Sequence, residues 1–197
     1  MHIFGVILAG GSGRRMAGAD KALLMLGDKR LVDHVIARLE PQVEALMISA
    51  NGAPDRFAQT GLPVLADDIP RGPLSGILAS LDWAAHAGAT HVVSAAVDTP
   101  FLPCDLVPQL CLAAEAHGDG FAIAQAGGRD HPTFGLWPVS LCADLRTYLR
   151  DAPSVRVLAF ADSYGAARAQ FPDADAFANL NTPTDLADAQ RRLDLSE

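Results

Sequence analysis

Val6-Ile-Leu-Ala-Gly-Gly-Ser-Gly-Arg-Arg-Met-Ala-Gly-Ala-Asp-Lys21 runs from an apolar, strand-like segment into a glycine-rich turn that ends in concentrated positive charge. Gly10, Gly11 and Gly13 carry no Cβ, so the backbone can adopt left-handed dihedrals and turn its N–H groups onto an anion. Arg14, Arg15 and Lys21 add the charge that a polyphosphate needs. The P-loop pattern is excluded, because Lys21 lies between Asp20 and Ala22 instead of directly following the last glycine with Ser or Thr behind it. The dinucleotide fingerprint fails as well. Gly11-Ser-Gly13 begins it, but Met16 stands where its third glycine belongs, and no acidic residue closes a clear second strand about twenty residues on. A glycine-rich turn alone is ordinary loop punctuation. The basic residues around this one favour an anion site.

Working outward, apolar runs of strand length alternate with longer segments of helical period, which predicts an α/β fold: a mostly parallel sheet with helices on both faces. Ile3 to Leu8, Ala45 to Ser49, a short Pro63 to Ala66, Val92 to Val97, Phe121 to Gln125 and Thr133 to Trp137 read as strands. Helices are expected over Leu31 to Leu39, Leu74 to Ala87, Leu106 to His117, Val139 to Leu149 and Val155 to Phe160. A last helix should begin at Thr182 or Pro183, with Thr182 as N-cap, and run to about Leu193. Val92 to Val97 is continuously apolar, as a central parallel strand buried on both faces should be. Trp83 and Trp137 read as core and interface material.

The chain has 197 residues, half of them hydrophobic, which suits one domain over 1–197 with a single core. No linker, repeat or low-complexity stretch divides it. The formal net charge of −8 argues against a nucleic-acid or anionic-membrane partner, since either calls for a basic face. The basic loop is therefore a local anion site on an acidic protein. Cys104, Cys111 and Cys142 are odd in number and lack C-x-x-C spacing, which predicts buried, reduced thiols and no zinc site. The amino terminus opens straight into strand-like sequence and no apolar run approaches about 18 residues, so a soluble, cytoplasmic protein is expected.

Open parallel sheets bind ligands beyond the carboxyl ends of their strands, and the glycine loop, Asn51, Asp67 and Asp98 all follow predicted strands. Asp98 ends the most apolar of them and precedes Thr-Pro; it either caps the next turn or holds a metal, and the neighbouring basic loop favours the metal. Asp67 is followed by Asp68, a pair that also suits a solvated loop. Asn51 offers a donor and an acceptor to a base edge, or simply forms an Asn-Gly turn with Gly52. Asn179 and Asn181 either share one face of a short strand or serve the helix cap ahead of Thr-Pro.

Leu8-Ala-Gly-Gly11, Arg15-Met16 and Gly18-Ala-Asp20-Lys21 resemble the L-A-G-G-x-x-x-R-M-x-G-x-D-K signature of the molybdenum cofactor guanylyltransferases, within the nucleotidyltransferases of Rossmann-like fold. Further matches follow in the family's order: Asp67, Gly72-Pro-Leu-Ser-Gly76, Asp98-Thr-Pro100, Arg129-Asp-His-Pro-Thr133 and Asn179-Leu-Asn-Thr-Pro183. Ala17 departs from a glycine common in the family's loop, and Ser49-Ala-Asn51 stands where the family often has two asparagines. The resemblance implies transfer of GMP from GTP to the terminal phosphate of molybdenum-bearing molybdopterin, with release of pyrophosphate. It implies nucleotide binding by Leu8, Ala9, Gly10, Gly11, Gly13, Lys21, Asn51, Asp67 and Asp98, with Asp67 on the guanine or its ribose. Catalysis would rest on Arg15, Lys21 and Asp98, with Mg²⁺ on Asp98. Arg129, His131, Asn179 and Asn181 would meet the acceptor. Implied partners are GTP, molybdopterin, and the cofactor-insertion and target molybdoenzyme proteins. Two rival readings are a related transferase of CTP or sugar phosphates and a non-catalytic module that binds and delivers the cofactor. Gly10 and the Asn-x-Asn-Thr-Pro ending speak for guanine over cytosine, and the retained Asp98 and loop cations speak for catalysis.

Overall fold

A computed structural model of the chain describes residues 1–10, 20–118 and 120–195. The main strands are β1 (Ile3–Leu8), β4 (Ala45–Ser49), β5 (Val64–Leu65), β6 (His91–Ala96), β7 (Ala122–Ala126), β8 (Arg129–Pro138) and β9 (Ala167–Phe171), in the spatial order β5-β4-β1-β6-β8-β7-β9. A small hairpin, β2 (Met25–Leu26) with β3 (Lys29–Arg30), stands apart. β5, β4, β1 and β6 run parallel, β8 is antiparallel to β6 and β7, and β9 is parallel to β7. The fold is thus α/β with a mostly parallel sheet, as the periodicity predicts.

The central strands read as unbroken apolar runs because helices cover both faces, and the twofold side-chain alternation divides each run between two cores. Ile7, Ile48 and Val93 point to one side, against α1 (Leu31–Leu39) and α3 (Leu106–His117). Val6, Leu8, Met47 and Val92 point to the other, against α2 (Pro73–His86), α4 (Cys142–Asp151) and α5 (Val157–Ser163). Trp137 is fully buried in this second core, while Trp83 lies at its edge against Phe4. Leu26 and Leu31 make a small third cluster with Leu180 and with Ala189 of α6 (Pro183–Asp194). That cluster fastens the carboxy-terminal helix beside the hairpin.

Several expected boundaries shift for local reasons. β8 begins at Arg129, four places before the expected Thr133, because Gly127 and Gly128 both take positive φ (57° and 72°) and close a tight hairpin with β7. The register then jumps: Ile123 pairs with Gly135 but Ala124 with His131, so Pro132, which has no N–H to give, sits in a bulge. β9 was not expected, since Ala-Arg-Ala-Gln-Phe carries no β-branched residue and its pairing with β7 is entirely non-local. The segment from Val139 starts as a 3-10 turn, with α4 proper running from Cys142. Thr182 caps α6 as predicted: its Oγ1 accepts from Asp185 N–H at 3.1 Å, and Asp185 returns the bond to Thr182 N–H at 2.8 Å.

The thiols are free, as expected, but less buried than expected. Cys104 is exposed and Cys111 and Cys142 are half-buried, all three unpaired. Burial and the adjacent Asp82, which accepts from the Cys142 thiol at 2.9 Å, push that thiol up to about 11, so it stays protonated at neutral pH. Among the described residues no helix is long and apolar enough to cross a membrane.

Candidate active site

The sheet register assembles the site. Leu8 stands opposite both Ser49 and Ala96, and Ser49 stands opposite Leu65, so four parallel strands end level with one another. Two places beyond these residues lie Gly10, Asn51, Asp98 and Asp67. All four therefore emerge on one edge, at the point where the chain order reverses around β1. Leu8 and Ala9 are buried and lead into it, while Gly10 is exposed, and among the described residues nothing comes within 4 Å of where its Cβ would stand. Gly11, Gly13, Arg14 and Arg15 lie outside the described residues.

One side of this edge gathers around Asp67. The Ser49 hydroxyl donates to Asp67 Oδ1 at 3.2 Å and the Asn51 amide donates to Oδ2 at 3.2 Å, while Asn51 Oδ1 accepts from Asp67 N–H at 2.9 Å. Asn51 thus stands at a turn, with both ends of its amide engaged by Asp67. Gly52 turns the chain at φ 91°, and the amide holds a carboxylate. Asp67 is half-buried whereas Asp68 is exposed, which separates the two acids that adjacency alone leaves equivalent. Burial raises the Asp67 carboxyl above the ordinary range, opposed by the bonds from Ser49 and Asn51 and assisted by the neighbouring Asp68 charge. The buried Ser49 hydroxyl needs Gly76 beneath it. A Cβ there would come within 2.3 Å of Ser49 Oγ and 3.0 Å of Leu8 Cδ2, which accounts for glycine in the Gly72-to-Gly76 segment at the start of α2.

The other side gathers around Asp98. Lys21 donates from Nζ to Asp98 Oδ2 at 2.9 Å and to Asn181 Oδ1 at 2.6 Å, both carboxylate and amine being about four-fifths buried. The fully buried Thr99 hydroxyl donates to Asn179 Oδ1 at 2.8 Å, and Leu180 N–H donates to the Asp98 carbonyl at 2.8 Å. Residues 179–181 are therefore strung across the end of β6, with Leu180 turned into the third hydrophobic cluster. They form no strand, contrary to the expectation of a short one, because a single backbone bond is too little to make a ladder. An ammonium has three donors. Two of Lys21's are spent on Asp98 and Asn181, its hydrogen-bond partners among the described residues.

Asp98 already holds a cationic group, so its environment tolerates a positive charge. Among the described residues no three His, Cys, Asp or Glu side chains form a metal cage by themselves. A single carboxylate fits Mg²⁺, which keeps much of its water and shares phosphate oxygens.

Arg129 and His131 start β8 and so also project past the carboxyl end of β6, with which β8 is antiparallel. Arg129 is exposed. The His131 ring stacks on Phe177 at 4.7 Å, and burial, together with the Arg129 charge, holds its pKa below the usual value; the ring is neutral at physiological pH. Between them Asp130 is committed to the fold, accepting from Gln125 at 2.7 Å and pairing with Arg168 at 3.2 Å. Sequence reasoning missed Thr99, the Ser49 hydroxyl as a partner of Asp67, Arg71 and Arg56. Arg71 donates to the carbonyls of Leu149 and Ala152 at the end of α4, fastening the loop that follows Asp67. Thr99 had a signal in Asp98-Thr-Pro100; Arg71 had none, since its carbonyl partners are remote in the chain, and Arg56 had none for its link to Asp20, 36 residues away.

A family model described as the MobA-like NTP transferase domain matches residues 5–167, most of the chain. The chain belongs to the MobA-like NTP transferase family. A curated relative from Cereibacter sphaeroides, named molybdenum cofactor guanylyltransferase, is 59% identical over 193 residues, covering 98% of each chain. A second of the same name from Mesorhizobium japonicum is 47% identical over 199 residues, covering 97% of this chain and 96% of its own. The crystal structure of molybdopterin-guanine dinucleotide biosynthesis protein A from Archaeoglobus fulgidus superposes with a TM-score of 0.76 at 21% identity, covering 98% of this chain and 99% of that one. That likeness extends the family's fold over the carboxy-terminal segment with Asn179 and Asn181, which the family model does not reach.

Proposed function

We propose that this MobA-like NTP transferase moves GMP from GTP to the terminal phosphate of molybdenum-bearing molybdopterin, forming the guanine dinucleotide cofactor and pyrophosphate. The observation that carries the reading is the half-buried Asp67 carboxylate, held by Ser49 and Asn51 on the same strand-end edge as the Asp98–Lys21 pair. An acceptor-only carboxylate suits the N1–H and amino donors that guanine presents side by side. The names borne by its close curated relatives support the same substrate.

In this reading a phosphate oxygen of the acceptor attacks the α-phosphorus of GTP; the new P–O bond forms as the α–β anhydride bond breaks, and the electron pair leaves on pyrophosphate. The nucleophile is already an anion, so no general base is needed, and positioning and charge neutralisation carry the step. Asp67 and Asn51 hold the base, while Lys21 and Arg15, with the loop N–H groups from Ala9 to Gly13, hold the triphosphate and the departing charge. Arg129 and neutral His131 receive the acceptor, and Asn179 and Asn181 shape the boundary between the two substrates. Asp98 holds Mg²⁺, which when bound neutralises phosphate charge. The chain acts as one domain in the cytoplasm and passes its product to cofactor-insertion and target molybdoenzyme proteins. Its acidic charge disfavours nucleic acid and anionic membranes.

Incubating the protein with each of the four nucleoside triphosphates, Mg²⁺ and purified molybdopterin acceptor, and measuring pyrophosphate, tests the reading. Release with GTP alone among the four is expected. Release with CTP in preference to GTP, or acceptor binding without release, would overturn it.

A further inference from the structure

Arg56 lies in none of the motifs that point to nucleotide transfer, yet its guanidinium joins the two halves of the site. It sits in a 3-10 segment, Pro54–Thr60, pinned to the core by fully buried Phe57, whose ring the guanidinium overlies at 4.8 Å. On one side Arg56 Nη2 donates to the Asn51 carbonyl at 2.8 Å and Nη1 to the Ala53 carbonyl at 3.3 Å. Gly52 makes room for this approach, since a Cβ there would come within 2.9 Å of Nη1. On the other side Arg56 Nε forms an ion pair with Asp20 Oδ2 at 2.7 Å, a contact of charge in which the N–H is not aligned on the oxygen as a hydrogen bond. The second oxygen of Asp20 accepts from Ala22 N–H at 3.1 Å and so caps the short helical turn that carries Lys21. A planar, forked cation thus spans from the turn that presents Asn51 to the turn that presents Lys21, and both arginine and aspartate are about three-quarters buried.

We propose that Arg56 is a positioning residue that sets the separation between the base-reading Asn51–Asp67 pair and the phosphate-holding Lys21. The inference rests on the guanylyl-transfer reading above. A ligand that touches both ends gains from the second contact only while the two ends are held at its own span; a ligand that touches one end gains nothing from that spacing. A lysine at position 56 keeps the charge but offers a point donor in place of a fork, so it cannot serve the carbonyls and the carboxylate together.

Titrations of the full chain with GTP, ITP and inorganic triphosphate, each with Mg²⁺, test this on Arg56→Met, Arg56→Lys, Asp20→Asn and the double variant Asp20→Asn/Arg56→Met. ITP lacks only the amino group of guanine, and inorganic triphosphate meets only the phosphate side. Thermal midpoints establish folding, and Arg56→Lys carries the test if Arg56→Met does not fold. Loss of one charge-assisted contact leads us to expect GTP affinity to fall about tenfold while triphosphate affinity changes less than about twofold. The GTP over ITP ratio should also fall, and the double variant should be no weaker than the poorer single one, because both changes break the same bridge. The proposal is overturned if Arg56→Lys and Arg56→Met bind GTP like wild type, or if GTP and triphosphate lose equally and the double variant is additive. Should the wild-type chain favour a nucleotide other than GTP, the guanylyl reading falls, and the same variant losses measured with that nucleotide still decide the bridge.

Discussion

The two sides of the site handle a carboxylate in opposite ways. Asp98 is neutralised within the protein by Lys21, and Asn181 satisfies a further ammonium hydrogen. Asp67, similarly drawn in from solvent, receives only the neutral donors of Ser49 and Asn51 among the described residues, and burial raises its pKa against their opposing effect. A compensated charge costs little to maintain and can exchange one cation for another. An uncompensated one costs stability, and recovers it only when a ligand brings donors of its own. In the proposed reading the Asp98 side, which would meet phosphate, handles charge, and the Asp67 side, which would meet the base, handles selectivity.

The comparison breaks most sharply at Asp98. Asp98→Asn preserves volume but removes the charge, and pyrophosphate release at saturating Mg²⁺ is expected to fall about a hundredfold or more while the fold is kept. Wild-type release would detach Asp98 from the metal role. Next in size, Lys21→Ala should weaken GTP by about 1.5–3 kcal/mol, the scale of a charge-assisted bond, and Arg15→Ala by a similar amount. Calorimetric titrations that show no loss for either would remove the phosphate side altogether. Neither change should alter the preference among nucleotides, because every triphosphate presents the same charge.

The base side should respond in the reverse sense. Asp67→Asn with Gly10→Ala is expected to lower the GTP over CTP preference at least about tenfold, roughly 1.4 kcal/mol, in competition assays with both nucleotides present. Among the described residues nothing lies within 4 Å of the Gly10 Cβ position, so the alanine tests room for the base. An unchanged ratio would move base recognition to Asn51. The smallest effect is on stability. A carboxyl raised in the folded state contributes stability that is present below its unfolded pKa of about 3.9 and is lost as pH rises through the folded value. Asp67→Asn should therefore gain thermal midpoint relative to wild type as pH rises above about 3.9. A difference that stays flat with pH would mean that Asp67 is not held at a cost.

The strand ends were legible in advance because each follows directly from local pattern. An apolar run stops, and the residue two places beyond the paired strand end emerges at the edge, as Gly10, Asn51, Asp67 and Asp98 all do. The partners of those residues were not legible. Lys21 meets Asp98 across 77 residues and Asn181 across 160, and nothing local distinguishes that lysine from one pointed at solvent. Arg129 and His131 lie on a strand because two positive-φ glycines start it four places earlier than the expected Thr133. β9 escaped because its residues carry little strand preference and gain order only by pairing with β7.

By itself, then, the chain's order of apolar runs and glycine punctuation determined the layered sheet and the list of groups along its edge, since backbone hydrogen bonding and two-sided burial leave few other arrangements for such a pattern. Only the tertiary structure decided which of those groups are paired. Whether Asp98 stands beside a lysine, Asp67 beside a buried serine, or Arg56 between two turns depends on register and on helix placement to within a few ångströms. Hydrogen bonds and ion pairs lose their worth over that same distance.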